Sequence, residues 1–574
     1  MSYLLILLLI ALFPLPWIWL GAGRSFRDCS DIDWIDGICV GFGIAFCVLY
    51  LCSQHSLSLF RWVWGMSLVV AIGVARVTMR RKAAGSVKWG SEIRILIPLL
   101  ALYLLIRAVP LAVTEYPRGW DPYFHLVLAE KIVRAGKFIT DWTPFENIEL
   151  NYPITSHLLL ALVAEIGRVP VHTVFRVAII LFTGLTGAQL YALMTRATGK
   201  PEIGLYAALS YLFLALWGSL DYSRWGGLPN LTGMYLVLGL LSILHRKDLA
   251  DYKIIAHFAI LFMAASLVHH HVMLTAGCIL LWQLFYFRWF HYDDIQVRRL
   301  RRGLAVSAVI GSPYFFAYLR KTAMLKETGL IGYVEGLASP ATIMNVIGPA
   351  FFFTVVFGAL IFFARESSFS VSRSVQQTIL ILLITYVLLQ VSYIVSRVLI
   401  GRVIAPFAPS RFLTDSVTLL SVFSAVFFFN LKSWTGRSKT WIVGLIIAGS
   451  VLNWPMYRGD FQSVIPEERL LAYDWIRTHT PADAIVIDEN FETSYLTQRI
   501  SSSMPIPPSE FLEQATNNKI TQEIKKGRIP PEVGRRQILF VTKDSLTPFG
   551  TRRELWSHPS GLQIIEVKAD EIGK

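Results

Sequence analysis

Long apolar segments alternate with short polar loops through residues 1–456 of the chain. The apolar segments lie near residues 1–21, 34–53, 59–78, 93–113, 172–194, 203–220, 229–245, 254–270, 271–288, 304–320, 342–364, 377–397, 411–430 and 440–456. Each is long enough for a tilted helix to cross a hydrocarbon layer of about 30 Å, which gives about 13–14 spans. The pattern therefore predicts a mostly α, polytopic transmembrane helical bundle.

The pattern changes near residue 457. Glu467 and Glu468 open a helical pattern that runs to about His479, with acids in the first turn. Residues 484–487 and 537–541 are short apolar runs typical of β-strands. Residues 457–574 are therefore predicted to form a small soluble α/β domain that packs on the outer face of the bundle.

Composition agrees with a membrane protein, because 54% of the 574 residues are hydrophobic and only 16% are charged, against about 25% charged in soluble domains. The formal net charge of +14 comes from basic residues in short loops, so the positive-inside rule explains it better than a nucleic-acid partner does. The five cysteines show no Cys-x-x-Cys spacing, which argues against a zinc or redox site of that type. The apolar N-terminus lacks a basic leader region and is interpreted as a span rather than a cleaved signal peptide.

Loop charge predicts the topology. The loop with Arg80, Arg81, Lys82 and Lys88 is strongly basic, which places it in the cytoplasm. Alternation from there puts the other basic loops inside as well. The outer segments are then 114–171, 221–228, 321–341, 398–410 and the tail from about 457. We expect a prokaryotic plasma membrane with the active site on its extracytoplasmic face.

Asp121 is the most informative carboxylate. It follows a predicted span and lies among the aromatic residues Trp120, Tyr123 and Phe124. An acid at the membrane edge beside aromatic surface has an increased chance of being functional. The sequence therefore favours Asp121 as a catalytic residue.

Other acids lie on the same predicted side. Glu146 and Glu149 share the first outer loop with Asp121, and Glu335 lies in a later outer loop. Carboxylate oxygens suit a hard divalent cation such as Mg²⁺ or Mn²⁺. Ordinary solvated charges are the alternative for each of them.

Basic side chains at the outer ends suggest a phosphate site. Arg224 lies beside an aromatic residue and could grip a phosphate through its planar fork, or anchor a helix end at the interface. Arg411 opens a late span, where it could contact a lipid phosphate, extend to the headgroups or pair with Asp415. His270, in a run of three histidines, could contact a phosphate or be an interfacial polar residue.

Six short motifs occur in the order found in one enzyme family. They are Trp120-Asp121-Pro122-Tyr123-Phe124-His125, the segment 146–153 ending in Tyr152-Pro153, Ser223-Arg224-Trp225-Gly226-Gly227, Val334-Glu335, Arg411-Phe412 and Asp474-Trp475-Ile476-Arg477-Thr478-His479-Thr480-Pro481. The chain resembles the GT-C superfamily of polytopic glycosyltransferases, and within it the catalytic subunit of oligosaccharyltransferase. The resemblance covers about residues 93–490. It implies extra N-terminal helices over 1–92 and a catalytic core over 93–456.

The departures from this family concern the acceptor. The family's Trp-Trp-Asp-Tyr-Gly motif, which reads the acceptor Ser or Thr, is replaced by residues 488–495, Asp-Glu-Asn-Phe-Glu-Thr-Ser-Tyr. Leu228-Pro229-Asn230 stands in place of an Asp-Asn-Glu motif. We therefore expect an acceptor other than an Asn-x-Ser/Thr sequon, whether protein, lipid or glycan.

The resemblance implies transfer of a sugar or glycan from a polyprenyl phosphate or diphosphate donor at the outer face, with Asp121 as the catalytic carboxylate. Donor-phosphate contacts are expected from Arg118, Arg224, His270 and Arg411. A divalent metal, which some GT-C enzymes lack, would be held by Asp121, Glu146, Glu149 and Glu335. A polysaccharide or lipid-glycan ligase and a non-catalytic transporter of lipid-linked sugars are the alternatives. Against the transporter, polar groups collect at the outer ends rather than at the midplane.

Overall fold

A computed structural model describes most of the chain. The described residues are 2–22, 30–80, 90–117, 121–142, 150, 152–216, 227–246, 248–269, 272, 277, 280, 294–322, 348–363, 409–453, 465–488, 490, 492–501, 516–526, 528–530, 533, 536–543 and 553–567.

The membrane part is helical. Its α-helices are α1 (Ser2–Leu12), α2 (Ile18–Ala22), α3 (Asp31–Ser53), α4 (Leu57–Arg80), α5 (Ser91–Val113), α6 (Asp121–Ala135), α7 (Thr155–Gly167), α8 (Val171–Thr198), α9 (Pro201–Leu209), α10 (Leu228–Leu244), α11 (Asp251–Val268), α12 (Asp294–Thr322), α13 (Pro349–Phe363), α14 (Pro409–Thr435) and α15 (Lys439–Gly449). Predicted spans that fall on described residues overlap these helices, whereas those near 271–288 and 377–397 lie largely or wholly outside the described residues.

Five helical stretches among the described residues are long and apolar enough to cross a membrane. They are Tyr3–Leu20, Asp31–Ser53, Ser91–Val113, Val171–Thr198 and Asp251–Val268, and shorter apolar helices accompany them. Helix α7 has 13 residues. At 1.5 Å per residue it reaches about 20 Å, too short for a bilayer core. Residues 155–164 of α7 are buried against neighbouring helices.

Helix α3 lies inside the bundle, where it packs against α8, α10 and α11. Its inner face is apolar and buried, with Phe42 and Phe46 at 1% exposure or less. Their rings lie 5.3 and 6.5 Å from the ring of Phe182 on α8. The N-terminal helices therefore share one hydrophobic core with the later ones. The boundary predicted at residue 92 stays a prediction.

One end of the bundle carries a buried ion-pair network. Arg196 on α8 contacts Asp36 at 2.8 Å and Asp33 at 2.6 Å, both on α3. Arg246, which is fully buried, contacts Asp33 at 3.2 Å and Asp248 at 2.6 Å. The partners compensate charges that would otherwise be costly to bury. This is the end that loop charge assigns to the cytoplasm.

Backbone contacts define the opposite end. The Phe138 amide donates to the Ser53 carbonyl at 2.7 Å, and the Leu57 amide donates to the Gly136 carbonyl at 2.8 Å. The segment after α6 is thereby fixed to the turn between α3 and α4. Helix α6 therefore lies at the end of the bundle away from the ion-pair network, as the predicted alternation requires.

The soluble tail is a small mixed α/β unit, as predicted. It contains α16 (Glu467–His479), β1 (Ile485–Ile487), α17 (Thr493–Thr497), β2 (Ile500–Ser501), α18 (Thr516–Lys525), β3 (Ile538–Thr542), β4 (Arg553–Ser557) and β5 (Gln563–Val567). The strand order is β2-β1-β3-β5-β4. Strand β1 is parallel to β2 and β3, whereas β5 is antiparallel to β3 and β4. Apolar residues of the sheet and of α18 form its core.

Candidate active site

The helix that begins with Asp121 is fixed at its start. The Tyr123 hydroxyl donates to the Pro117 carbonyl at 3.1 Å, and the Tyr123 side chain is 1% exposed. Arg176 on α8 donates to the Thr114 hydroxyl at 2.6 Å, just after α5 ends. These contacts hold the chain on both sides of the link between α5 and α6. The candidate acid therefore begins a helix whose position is well determined by packing.

A pair of buried histidines lies one helical turn further along. His125 is four residues after Asp121, and its Nδ1 lies 2.8 Å from Nε2 of His157 on α7. Both imidazoles are buried, at 7% and 1% exposure. Burial lowers the pKa of His157 to about 3, because desolvation disfavours the charged form. His157 is therefore neutral at physiological pH.

Tyr152 joins this pair to the end of α11. Its ring lies 6.0 Å from the ring of His125 and 5.7 Å from that of His157. On its other side it lies 5.8 Å from the ring of His269, which caps α11. Tyr152 is the tyrosine of the Tyr-Pro motif. The structure thus brings the start of α6 close to the residue that precedes His270.

The soluble tail packs against the start of α6 and the start of α8. Tyr495 on α17 is hydrogen-bonded to Nδ1 of His172 at 3.0 Å, and its ring lies 6.2 Å from the ring of Tyr123. Glu492, just before α17, is 8% exposed, and burial raises the pKa of its carboxyl. A carboxyl group from the tail therefore lies near the start of α6.

A polar network fixes this part of the tail. Asp488 accepts hydrogen bonds from Arg469 at 3.0 Å, from the Tyr473 hydroxyl at 2.8 Å and from the Asn490 side chain at 2.7 Å. Asp488 is 3% exposed. From the segment 488–495 the structure describes residues 488, 490 and 492–495, which belong to the part of the tail that contacts α6.

The structure describes only some of the predicted site residues. Asp121 is the first residue of α6, and Arg411 lies in the first turn of α14. The structure describes the backbone of these two residues. Six predicted residues lie outside the described residues, namely Arg118, Glu146, Glu149, Arg224, His270 and Glu335.

The predicted metal site is not tested. In the part of the chain that the structure describes, no group of three or more His, Cys, Asp or Glu residues is placed to hold a metal. The predicted ligands Glu146, Glu149 and Glu335 are not in that part. Their role in metal binding stays a prediction.

Sequence reasoning assigned no role to His125, His157, His172 or Tyr495. The spacing of His125 from Asp121 was a usable signal, because residues four apart are neighbours on a helix. The contact between His172 and Tyr495 joins residues 323 positions apart. No local sequence pattern predicts a contact between residues so far apart in the chain.

The fold is similar to those of solved membrane glycosyltransferases. ArnT from Cupriavidus metallidurans in the apo state has 13% identity and a TM-score of 0.53, over 83% of this chain and 98% of that chain. The mycobacterial arabinofuranosyltransferase AftD has 13% identity and a TM-score of 0.50, over 84% of this chain and 40% of that chain. The apo oligosaccharyltransferase of Archaeoglobus fulgidus has 12% identity and a TM-score of 0.48, over 77% of this chain and 69% of that chain.

No protein-family model and no curated protein sequence matches the chain. At these identities the structural likeness shows the fold alone. The chain has the GT-C fold, as its motifs predicted. It is a mostly helical membrane protein with a small mixed sheet in its C-terminal region.

Proposed function

We propose that this chain, which has the GT-C fold, is a membrane glycosyltransferase that moves a sugar or glycan from a polyprenyl-phosphate or diphosphate donor to an acceptor at the extracytoplasmic face. Asp121 is its catalytic carboxylate. The acceptor is a protein, lipid or glycan other than an Asn-x-Ser/Thr sequon. The chain works in the bilayer and has no nucleic-acid partner.

One observation carries the proposal. Asp121 begins α6 at the end of the bundle away from the ion-pair network, where the buried pair His125 and His157 lies and where the soluble tail docks through Tyr495. The positive end of the helix dipole favours negative charge at this position. An acid at the junction between a lipid-facing bundle and a soluble domain suits a reaction between a lipid-borne donor and an acceptor from the aqueous side.

The donor class is supported by the ArnT fold. ArnT from Cupriavidus metallidurans shares the fold in its apo state, and the same enzyme has also been solved bound to undecaprenyl phosphate. The exposed apolar faces of α4 and α5, with Trp62 and Leu105 exposed by 74% and 67%, suit contact with lipid. A polyprenyl chain would reach the start of α6 from the bilayer.

In the proposed reaction, the acceptor nucleophile attacks the anomeric carbon of the donor. Asp121 receives the proton of the nucleophile. The new bond to the anomeric carbon forms as the carbon–oxygen bond to phosphate breaks, so the configuration inverts. The phosphate leaves with the electron pair of that bond. Positive charge stabilises this leaving group, and the basic residues proposed to supply it are Arg118, Arg224, His270 and Arg411.

A divalent cation would supply further positive charge beside the phosphate. Carboxylate oxygens fit Mg²⁺ or Mn²⁺, both of which prefer oxygen ligands. Asp121, Glu146, Glu149 and Glu335 would hold it.

Asp121→Asn tests the proposal. Purified protein in lipid nanodiscs is given undecaprenyl phosphates and diphosphates that carry radiolabelled hexoses, pentoses or N-acetylhexosamines, with a membrane extract as acceptor. Asp121→Asn should lower label transfer by about 10²–10⁴-fold, the usual contribution of a general base, and leave undecaprenyl phosphate binding unchanged.

Asp141→Asn is the matched control. Asp141 is a half-exposed acid of the same outer segment that pairs with Lys131 at 3.3 Å, so its loss should change transfer by less than about twofold. Full transfer by Asp121→Asn would contradict the proposal. In sealed liposomes, movement of the labelled donor across the membrane with no labelled product would support the transporter instead.

A further inference from the structure

The paired imidazoles of His125 and His157 are not used by the proposed reaction. Both are buried, and the rings of Phe124 and Phe175 lie within 5.2 and 6.4 Å of His125. Polar groups in such surroundings are costly unless they are hydrogen-bonded. Apolar side chains would fill this space if filling were the only requirement. The presence of two histidines here is therefore best explained by their hydrogen bonds.

The hydrogen bond between the two rings needs one donor and one acceptor. Nδ1 of His125 lies 2.8 Å from Nε2 of His157, and Nδ1 of His157 lies 3.4 Å from the Ser156 hydroxyl oxygen. A neutral imidazole has one N–H and one acceptor nitrogen, and a hydroxyl both donates and accepts. Either ring can therefore donate across the pair, and the bond is made in both tautomers.

In both tautomers this hydrogen bond fixes the orientation of His125 and ties the second turn of α6 to the start of α7. Tyr152 packs against both rings and restricts them further.

We propose that His125 is a positioning residue: its hydrogen bond to His157 on α7 holds the start of α6 and so places Asp121. This inference rests on the proposed role of Asp121. The acid lies one turn before His125 on the same helix. A small rotation or fraying of that turn would displace the acid from its productive place, and a displacement of about 1 Å suffices to slow an enzyme about 10²-fold.

A cysteine reporter at position 121 tests the inference without a known substrate. Asp121→Cys is introduced into the full chain after its five native cysteines are changed to alanine. The rate of reaction with a membrane-impermeant maleimide is then measured in nanodiscs. His125→Leu and His125→Asn are compared in this background, because the Asn amide keeps a hydrogen-bonding group near the place of Nδ1 and Leu does not.

We expect His125→Leu to change the labelling rate about tenfold, since a lost buried hydrogen bond changes a local opening equilibrium by about that factor. We expect His125→Asn to stay within about twofold of the parent. Equal rates for both variants and the parent would overturn the inference. An equal change in both would also overturn it, since the hydrogen bond would then not matter. Melting temperatures show whether each variant is folded.

Label transfer supplies the second readout. In the wild-type background His125→Leu should lower kcat about 10²-fold with little change in KM for the donor, and His125→Asn should restore most of it. If Asp121→Asn abolishes transfer but His125→Leu does not, the inference fails and the proposed function stands. If Asp121→Asn has no effect, the proposed function fails, and the labelling rates still decide whether His125 holds the helix.

Discussion

Tyr495→Phe tests whether the hydrogen bond between Tyr495 and His172 holds the soluble tail against the start of α6. The change removes the hydroxyl hydrogen-bonded to His172 at 3.0 Å and keeps the ring that lies near Tyr123. Both partners are buried, at 7% and 5% exposure, so the lost bond and the buried nitrogen left behind together cost about 1–2 kcal/mol. That is about a 5–30-fold change in the ratio of docked to undocked tail.

Hydrogen–deuterium exchange measures this ratio. Amides of α17 and of the first two turns of α6 should exchange faster by about the same 5–30-fold factor in Tyr495→Phe, whereas the ion-paired end of the bundle should not change. Lys543→Met is the control within the tail, because it removes an exposed ion pair with Glu468 at 3.2 Å worth less than about 1 kcal/mol. Unchanged protection of α6 in Tyr495→Phe would refute the docking contact, as would an equal change in the control.

Arg196→Met should remove the guanidinium that pairs with Asp36 and one of the two that pair with Asp33 and lower stability by about 3–5 kcal/mol; an unchanged melting temperature in detergent would refute this. Gly358→Ala should prevent close packing of α13 on α14, since its Cβ would meet the backbone of Phe423, whereas Gly444→Ala meets nothing within 4 Å; equal yields of folded protein would contradict the packing. His157 has a pKa of about 3 against 6.5 unfolded, so the unfolded chain binds more protons between these values. Stability should fall as pH drops through that window and be insensitive to this group above it. His157→Gln should flatten that dependence in thermal unfolding between pH 4 and pH 7.

The helical part of the fold was predictable because the length of each apolar run, which is visible in the local sequence, decides whether it forms a membrane helix. A run such as Ser91–Val113 must satisfy its backbone hydrogen bonds within itself once it enters hydrocarbon, so its position follows from composition. The strands at 485–487 and 538–542 were predictable for a similar reason, since short β-branched runs between turn residues suit a pleated surface. Helix bounds shifted by a few residues, as at Asp31, where Ser30 supplies an N-cap that apolarity does not reveal.

The site was only partly predictable because it is built from distant parts of the chain. Asp121 could be singled out, since a lone acid at the end of a span is visible in sequence. The approach of Tyr152 to His269 and of Tyr495 to His172 depends on how the helices cross. Nor does the sequence reveal that Asp33 and Asp36 tie the N-terminal helices to α8. These contacts require the packed bundle.

The placement of buried charge favours chemistry at a membrane surface over transport across it. Among the described residues of the five long apolar stretches, every buried Asp, Glu, Lys or Arg lies within two turns of a helix end. These residues are Asp31, Asp33, Asp36, Glu92, Arg107 and Arg176. Transport of a charged lipid-linked sugar would need ionisable groups or broken helices near the midplane. The described middle of the bundle instead holds neutral groups, such as the Ser424 hydroxyl that donates to Ser210 at 2.9 Å. Such groups bind helices together. This placement supports the proposed phosphate site at the end where α6 begins and the soluble tail docks.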